Sequence, residues 1–412
     1  MKTVVVGGGL AGCAAALELA KAGHEVALYE ARPTLGGAVQ TLPYRPGDPS
    51  PPPDNGQHIA LGCFTEYVAF LAELGASGWL RRMPLSLPVA DEEGQWSTIS
   101  PLAIATRRYR HLPFRERSLV RALLRMRSVD LAAYDGETFA DFLLELGQTE
   151  RAIDRFWDVF IRPALNLPSR EVSAAMAIFT VRTALLSGRT ASNLLLPTAP
   201  LGDMHGGAAR AILELRGVAV ETNARIEDVD ELAADAIVLA VPARESAQLL
   251  GEPDPLLEDS PIVSVHLLFD RPILRQPLAA LLASDAHWVF DHGALTGHAP
   301  PQGQYLTVVS SGAPELMELR GRELVDRIAG QLNERLAHAE LLWSRVSREP
   351  RATIALRPGT AALRPGPLTS RANVTRAGAW TATGWPATME SAVRSGRTAA
   401  KLLSSVTTKV AV

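Results

Sequence analysis

A glycine pattern at the start of the chain constrains the fold more than any other feature. The first 32 residues are MKTVVVGGGLAGCAAALELAKAGHEVALYEAR. Gly7, Gly9 and Gly12 have the spacing G-x-G-x-x-G, between an apolar strand at 4–6 and a helix predicted over 10–22. The first glycine permits the tight turn, the second allows close approach of a pyrophosphate, and the third lets helix and strand pack. The segment is therefore predicted to be a β-α-β unit that binds a dinucleotide.

The residues around the glycines support the same interpretation. The backbone N–H groups of Leu10 and Ala11 lie at the predicted helix N-terminus, where the helix dipole favours phosphate. A second strand ends at Glu30, 18 residues after Gly12, the usual place for a carboxylate that binds the adenosine ribose. The three features together indicate dinucleotide binding more strongly than the glycines alone.

Composition limits the remaining possibilities. The chain has 412 residues, 47% hydrophobic and 21% charged, which is typical of a globular protein of two or three domains. A net charge of −3 gives no indication of a nucleic-acid partner. The two cysteines, Cys13 and Cys63, have no metal-ligand or disulfide spacing, so no metal site is expected. We find no signal peptide and no apolar stretch long enough to span a membrane, so a cytoplasmic protein is expected.

The continuation of the second strand favours FAD over NAD. The segment EARPTLGGAVQT places Arg32, Gly36 and Gly37 directly after the ribose acid, flanked by Ala31 and Ala38. This pattern resembles the FAD-binding signature of the phytoene desaturase and flavin amine oxidase superfamily. The resemblance implies that these residues lie along the cofactor, and that a return segment brings 220–226, from Val220 to Ile226, near the adenine.

A C-terminal segment is expected to complete the cofactor site. In AGAWTATGWPATMESAVRSG a strand ends near Gly378, a loop contains Gly384 and Pro386, and a helix starts at about Ala387 and Thr388. The helix N-terminus is expected to point at the flavin or its phosphate chain.

These segments predict an α/β protein whose FAD-binding, Rossmann-like domain is discontinuous. We assign 1–61, 200–257 and 346–412 to that domain. A mainly helical insertion is expected at 62–199. An alternating pattern beginning PIVSVHLLFDRPI predicts a substrate-binding antiparallel sheet in 258–345.

One short loop concentrates polar side chains. The stretch DNGQHIALG contains Asp54, Asn55, Gln57 and His58, followed at once by apolar residues. They are candidate catalytic residues, with Asp54 or His58 as a proton donor. Two other readings stay open: contact with the flavin, or a purely structural role in which Asp54 and Asn55 cap a turn.

The same blocks carry a more specific resemblance. DNGQHIALG, FWDVFIRPALNLP (156–168), HWVFDH (287–292) and AGAWTATGWPATMESAVRSG (377–396) are similar to the squalene-associated FAD-dependent desaturases, also named hydroxysqualene dehydroxylases. The resemblance covers nearly the whole chain. It implies reductive removal of the hydroxyl of hydroxysqualene, a C30 allylic alcohol, to leave squalene for hopanoid synthesis, with enzymes of the same pathway as potential partners.

The chain departs from that family in its last motif. Ala379 stands where the family has an acid near the FAD phosphate, and Ala382 stands where a second acid is common. FAD is still expected to bind because the N-terminal fingerprint is intact. Two other functions stay open: a flavin desaturase or oxidase of a carotenoid precursor or an amine, and a non-catalytic FAD-binding or squalene-carrier protein.

A basic segment suggests contact with a membrane. Residues 107–128, RRYRHLPFRERSLVRALLRMRS, contain eight arginines and one acid, Glu116. Leu119, Val120, Leu123 and Leu124 supply apolar positions in the same stretch. A basic amphipathic helix can lie on the inner, anionic face of a membrane. The alternative is an ordinary solvated helix on the core.

Overall fold

The computed structural model describes residues 1–117 and 119–410, and three sheets organise them. A parallel five-stranded sheet has the order β15-β9-β1-β2-β8. Its strands are β1 (Lys2–Val6), β2 (Glu25–Glu30), β8 (Ala219–Thr222), β9 (Ala236–Leu239) and β15 (Val374–Arg376). Strands distant in sequence therefore meet in one nucleotide-binding sheet.

The second sheet has seven strands in the order β14-β10-β13-β12-β11-β5-β6, and every pairing is antiparallel except β11 with β5. Its strands are β5 (Leu87–Ala90), β6 (Trp96–Ile99), β10 (Asp259–Phe269), β11 (Leu278–Leu281), β12 (Trp288–Asp291), β13 (Gln304–Ser311) and β14 (Leu341–Ile354). A small antiparallel sheet joins β3 (Ala60–Leu61), β4 (Leu80–Met83) and β7 (Leu194–Pro197).

The helices follow the chain between these strands. They are α1 (Leu10–Lys21), α2 (Thr65–Glu73), α3 (Pro101–Ala105), α4 (Val120–Met126), α5 (Phe139–Glu145), α6 (Glu150–Ala152), α7 (Asp158–Leu165), α8 (Ala174–Val181), α9 (Ala208–Leu215), α10 (Ala243–Leu250), α11 (His292–Thr296), α12 (Pro314–Glu318), α13 (Glu323–Arg335), α14 (Thr360–Leu363) and α15 (Met389–Val410). π-helical turns at Ile153–Trp157, Arg182–Leu186 and Gly202–Gly207 adjoin α7, α8 and α9. Within the described residues, no helix is both long enough and apolar enough to traverse a bilayer.

The α/β fold class expected from the sequence is confirmed, with two differences in how the chain is divided. The final cofactor-domain segment was expected from 346, but that position lies inside β14, which pairs with β10 as far as Ile354. The insertion at 62–199 is not only helical, because β5 and β6 extend the large sheet. Strands β5 and β6 have four residues each, and so short an alternation of apolar and polar residues cannot be told from a loop by sequence alone.

Helices α1 and α15 hold the discontinuous nucleotide domain together. They cross so closely at Gly396 that a Cβ there would lie 2.0 Å from the carbonyl oxygen of Ala11. The buried carboxylate of Glu390 accepts hydrogen bonds from the backbone N–H groups of Glu66 and Tyr67, at the start of α2. The last helix therefore anchors both the first helix and the first element of the insertion.

Candidate functional site

The candidate site is a cavity of about 1330 Å³ that begins at the carboxyl edge of the parallel sheet. Val6, Glu30 and Ala240 line it at the ends of β1, β2 and β9, and Gly378 lines it just after β15. Parallel strands all present their carboxyl ends at one edge, and ligands of such sheets bind there. The sheet topology thus brings four distant segments of the chain to one site.

The first turn of the site requires glycine. Gly7 has φ +104°, and a Cβ on it would lie 2.4 Å from the carbonyl oxygen of Ala240. A Cβ on Gly12 would lie 1.8 Å from the carbonyl oxygen of Gly7. Gly9 caps α1 without a side-chain hydrogen bond, which leaves the first helical N–H groups directed at the cavity edge. The glycine fingerprint therefore has the geometry that was inferred from its spacing.

Glu30 is held by the same turn. One carboxylate oxygen accepts a hydrogen bond from the N–H of Gly8 at 2.7 Å, and the other accepts from the N–H of Arg32 at 2.8 Å. The side chain is buried yet lines the cavity. Each oxygen retains a lone pair for a further donor, as ribose binding requires.

The C-terminal loop is organised by an arginine that the sequence did not single out. The guanidinium of the buried Arg364 donates to the carbonyl oxygens of Ala379, Trp380, Thr381 and Trp385, at 2.5–3.2 Å. Burial lowers the pKa of Arg364 to about 10. The loop that contains Ala379 and Ala382 is thus held by a buried cation that bonds backbone carbonyls. No local sequence pattern signals this role.

Ala379 and Ala382, where the family resemblance implies acids, differ in position. Ala379 lines the cavity, and its carbonyl oxygen accepts from Arg364. Ala382 is exposed and does not line the cavity. Only the substitution at 379 therefore changes the wall of the site.

The polar side chains of the loop at 54–58 do not all face the cavity. Asn55, Gln57 and His58 line the cavity, whereas Asp54 does not. The Asp54 carboxylate accepts from the Thr41 hydroxyl at 2.6 Å and from the N–H of Leu201 at 3.0 Å. Asp54 therefore ties the loop to the turn before α9, which is the capping role left open by the sequence.

The three polar side chains of that loop that line the cavity differ in how many hydrogen-bonding atoms remain unused. Asn55 donates to the carbonyl oxygen of Ala38 at 2.8 Å and braces the Gly36–Gly37 turn. Among the described residues, the Gln57 side chain has a single hydrogen-bond contact, from Nε2 to the carbonyl oxygen of His58 at 3.5 Å. The Nδ1 atom of His58 has no hydrogen-bond partner within the described part of the chain. Gln57 and His58 thus keep polar atoms for a ligand.

Burial acts on the two candidate proton donors in opposite directions. It raises the pKa of the Asp54 carboxyl to about 7, against the lowering effect of its hydrogen bonds from Thr41 and Leu201. Burial, together with the nearby His205, lowers the pKa of His58 to about 4. At neutral pH His58 is therefore a neutral imidazole, and it can offer one N–H donor and one acceptor.

Most of the cofactor residues predicted from the sequence line the cavity. These are Gly7, Gly9, Leu10, Ala11, Glu30, Ala31, Arg32, Gly36, Gly37, Ala38, Ile226, Gly378, Pro386, Ala387 and Thr388. Gly12, Val220 and Gly384 do not line it. Gly12 packs beneath the turn, Val220 lies within β8 ahead of the lining segment 224–227, and Gly384 is exposed.

The far half of the cavity has an apolar wall that the sequence did not specify. It is built by β10–β14 of the large sheet, by α7 and α8, and by the segments beside β5 and β7. Its apolar members include Leu85, Leu87, Val159, Phe160, Phe179, Leu194, Leu257, Ile262, Leu278, Trp288, Phe290, Val309, Ile354 and Leu356. Alternation marks buried faces of strands but cannot show which of them border a cavity.

Two tryptophans of the last motif lie where the two halves meet. Trp380 and Trp385 both line the cavity. The indole N–H of Trp380 donates to the carbonyl oxygen of Val241 at 3.0 Å. The Trp385 ring contacts Phe179 edge-on at 5.2 Å between centroids, and the Arg394 guanidinium lies 4.7 Å from its centroid. Each ring is thus held in the cavity wall by its own contacts.

Together, the fold and the cavity define a dinucleotide-binding oxidoreductase in which a nucleotide domain is interleaved with a sheet-based substrate domain. The chain belongs to the flavin containing amine oxidoreductase family, whose model matches residues 10–404. It is an FAD-dependent oxidoreductase.

Individual proteins show the same relationship. The chain is 30% identical to a hydroxysqualene dehydroxylase of Rhodopseudomonas palustris, with 98% of each protein covered. It is 25% identical to a zeta-carotene desaturase of Synechocystis sp., over 98% of this chain and 97% of that protein. An oxidoreductase from Methanosarcina mazei has the same fold, with a TM-score of 0.74 at 18% identity over 97% of this chain and 100% of the other.

The residues at the edge of the parallel sheet fit FAD. The backbone of Gly7, Gly9, Leu10 and Ala11 lines the cavity, and a Cβ on Gly9 would meet no atom closer than 3.7 Å, so this edge is open to a phosphate group. The Glu30 carboxylate lines the cavity and could accept hydrogen bonds from a ribose, and the loop before α15 lines the same cavity. Two cavity-lining residues each have a buried atom without a hydrogen-bond partner among residues 1–117 and 119–410, namely Nε2 of Gln40 and Nδ1 of His58.

Proposed function

We propose that the protein removes the hydroxyl group of hydroxysqualene reductively and leaves squalene. The C–OH bond breaks, a C–H bond forms at the same carbon, and the oxygen leaves as water after taking up one proton. The two electrons and the hydrogen of the new C–H bond arrive as hydride, and the second hydrogen of a reduced flavin would balance the proton taken up by the oxygen. Reduced FAD supplies that hydride when it is bound.

One observation carries the proposal: a single cavity joins the glycine-rich edge of the nucleotide sheet to the apolar wall. A long isoprenoid gains most of its binding free energy by leaving water for such a wall. The similarity to hydroxysqualene dehydroxylases then favours this substrate over other apolar alcohols.

The chain contributes a dry environment and a small set of polar groups. Ile262, Val309 and Phe290 come from adjacent strands of the large sheet and exclude water from the reacting carbon. Gln57 and His58 are adjacent cavity-lining groups with unused hydrogen-bonding atoms, so we place the leaving hydroxyl against them. The neutral imidazole of His58 donates a hydrogen bond that stabilises the departing oxygen, which lowers the barrier to ionisation.

A second candidate is desaturation of a carotenoid precursor. The similarity to zeta-carotene desaturase favours it, and the same apolar wall suits its substrate. The two reactions move electrons in opposite directions, since desaturation reduces FAD and dehydroxylation oxidises it. The redox state of FAD during turnover therefore separates the candidates.

The test is an anaerobic incubation of the protein, carrying dithionite-reduced FAD, with hydroxysqualene. We expect reappearance of the oxidised flavin absorbance, with squalene formed in equal amount and measured by mass spectrometry. An Ile262→Trp variant, which fills part of the apolar wall, is expected to retain FAD absorbance and to lose most squalene formation. Failure of the unaltered protein to form squalene, with bleaching of oxidised FAD by a carotenoid precursor, would favour the desaturase.

A further inference from the structure

A basic surface lies outside the cavity and has no part in the proposed reaction. It comprises residues 101–117 and 119–128, whereas Ser118 lies outside the described residues. Seven of its eight arginines are exposed: Arg107, Arg108, Arg110, Arg115, Arg121, Arg125 and Arg127. Its single acid, Glu116, already accepts a hydrogen bond from the Thr149 hydroxyl at 2.8 Å. The basic surface therefore carries a strong positive excess on a chain whose net charge is −3.

The basic surface also exposes large apolar side chains among its arginines. Leu102 is 66% exposed, Phe114 65%, Leu124 58% and Val120 43%. The Arg107 and Arg117 guanidinium groups flank the Phe114 ring at 5.7 Å and 6.0 Å from its centroid. Single exposed apolar residues need no explanation, but several among like charges on one segment mark an interaction site.

The geometry of α4 separates a core-facing side from a solvent-facing side. Ala122 and Met126 are buried, four residues apart. Val120 and Leu124 form an exposed pair with the same spacing, and Arg121 and Arg125 form another beside it. Residues four apart share one helix face, so an apolar pair and an arginine pair lie side by side on the solvent-facing side. This is the side-chain arrangement of a helix that lies in a membrane interface.

A direct contact connects the basic surface to the cavity wall. The Arg182 guanidinium donates two hydrogen bonds to the carbonyl oxygen of Met126, at 2.6 Å and 3.0 Å, and one to that of Val129 at 2.8 Å. Arg182 begins the π-helical turn in which Thr183 and Ala184 line the cavity. The end of α4 is thus one side chain away from the cavity wall.

We propose that the basic surface docks the protein on a bilayer of anionic lipids. Its arginines meet the headgroups, and Leu102, Phe114, Val120 and Leu124 enter the boundary between headgroups and acyl chains. Docking there brings the π-helical turn at Arg182–Leu186 to the membrane side, where a lipophilic substrate is dissolved. Binding to lipid is a property of the surface and needs no substrate, so it is tested independently of the proposed reaction.

The experiment is co-sedimentation of the FAD-loaded protein with vesicles of phosphatidylcholine alone or mixed with phosphatidylglycerol. We expect binding only to the anionic vesicles, with weakening as salt rises because exposed charges are screened. Each basic residue near such a surface contributes about fivefold to partitioning. Arg121→Glu/Arg125→Glu is therefore expected to lower the partition coefficient at least about 25-fold.

A matched variant controls for overall charge. Arg216 and Arg275 are exposed and lie after α9 and β10, away from the basic surface in the chain. Arg216→Glu/Arg275→Glu changes the net charge equally and is expected to leave vesicle binding within about twofold of the unaltered protein. Leu124→Ser is expected to weaken binding at high salt, where the apolar contribution dominates.

Three results would overturn the proposal. The first is a protein that stays in the supernatant with anionic vesicles at low salt, which would assign the surface to an acidic protein or a second copy of the chain. The second is equal loss of binding in both double variants, which would indicate a general charge effect. The third is undiminished binding of Arg121→Glu/Arg125→Glu. Retained FAD absorbance in each variant shows that the fold is intact.

Discussion

Replacing Arg364 by methionine is expected to destabilise the protein and to weaken FAD binding. Methionine keeps most of the apolar stem but removes every donor. The carbonyl oxygens of Ala379 and Thr381 would each keep another donor, the Ser391 hydroxyl and the N–H of Thr383 respectively. Those of Trp380 and Trp385 have no second donor among the described residues. One buried and one partly buried carbonyl are therefore left unsatisfied.

The magnitude follows from those two carbonyls. An unsatisfied buried polar group costs about 1–3 kcal/mol. Part of this is returned, because a guanidinium that was buried without a carboxylate partner no longer has to lose its hydration. We expect the free energy of unfolding to fall by about 2–4 kcal/mol. The free energy of unfolding of Arg364→Lys should lie between those of the unaltered protein and Arg364→Met, because an ammonium cannot reach all four acceptors as a planar guanidinium does.

The assay is urea unfolding of the FAD-loaded and the FAD-free protein, together with titration of FAD into the FAD-free form. The loop that Arg364 organises lines the cavity at 378–380 and 385–388, so FAD affinity should fall with stability. Arg320→Met is the matched control, because this exposed guanidinium also donates to a backbone carbonyl, that of Met317. The control should change stability by less than about 0.5 kcal/mol. An Arg364→Met protein as stable as the control would refute the reasoning.

Three further predictions concern the polar loop and the helix crossing. Because burial raises the pKa of Asp54 to about 7, its contribution to stability is complete below its ordinary pKa and is lost as pH rises towards 7. The urea midpoint of the unaltered protein should therefore fall relative to Asp54→Asn between about pH 4 and about pH 7. A relative rise over that range would show that the charged form is favoured. The rate of squalene formation should stay within about tenfold of the unaltered protein in Asp54→Asn and fall about a hundredfold or more in His58→Ala. The reverse order would indicate that Asp54 takes part in catalysis. Gly396→Ala should lower the free energy of unfolding by about 1–3 kcal/mol, because its Cβ would meet the carbonyl oxygen of Ala11. The control is Gly330→Ala in α13, where a Cβ would meet no atom within 4 Å, and it should be neutral or stabilising by up to about 1 kcal/mol. Equal shifts of the melting temperature in the two variants would contradict a close crossing of α1 and α15.

The local sequence was sufficient where function depends on the backbone of neighbouring residues. A turn that approaches a pyrophosphate needs glycine at set intervals, and the helix after it begins within the same few residues. The turn and packing roles of Gly7 and Gly12 could therefore be predicted from spacing alone, and the observed turn has this geometry, whereas ribose binding by Glu30 stays a prediction. The C-terminal loop was found for the same reason, since a strand, a turn and a helix N-terminus follow one another directly.

The roles of side chains that bond to distant segments could be predicted only in part from the sequence. Asp54 and His58 are four residues apart, yet one binds Thr41 and Leu201 while the other borders the cavity. Nothing in the loop itself distinguishes them, because their partners come from segments about 13 and 147 residues away. Arg364 was missed on the same grounds, since all of its acceptors are backbone atoms of a loop that folds back onto it.

By itself, the sequence determined the nucleotide-binding unit and the basic character of 107–128, because both depend on neighbours along the chain. Tertiary structure alone decided how five parallel strands meet at one edge, which faces of the large sheet border a cavity, and which polar side chains reach it. Those outcomes depend on contacts between segments hundreds of residues apart, and a linear pattern of apolar and polar residues cannot specify which of them meet.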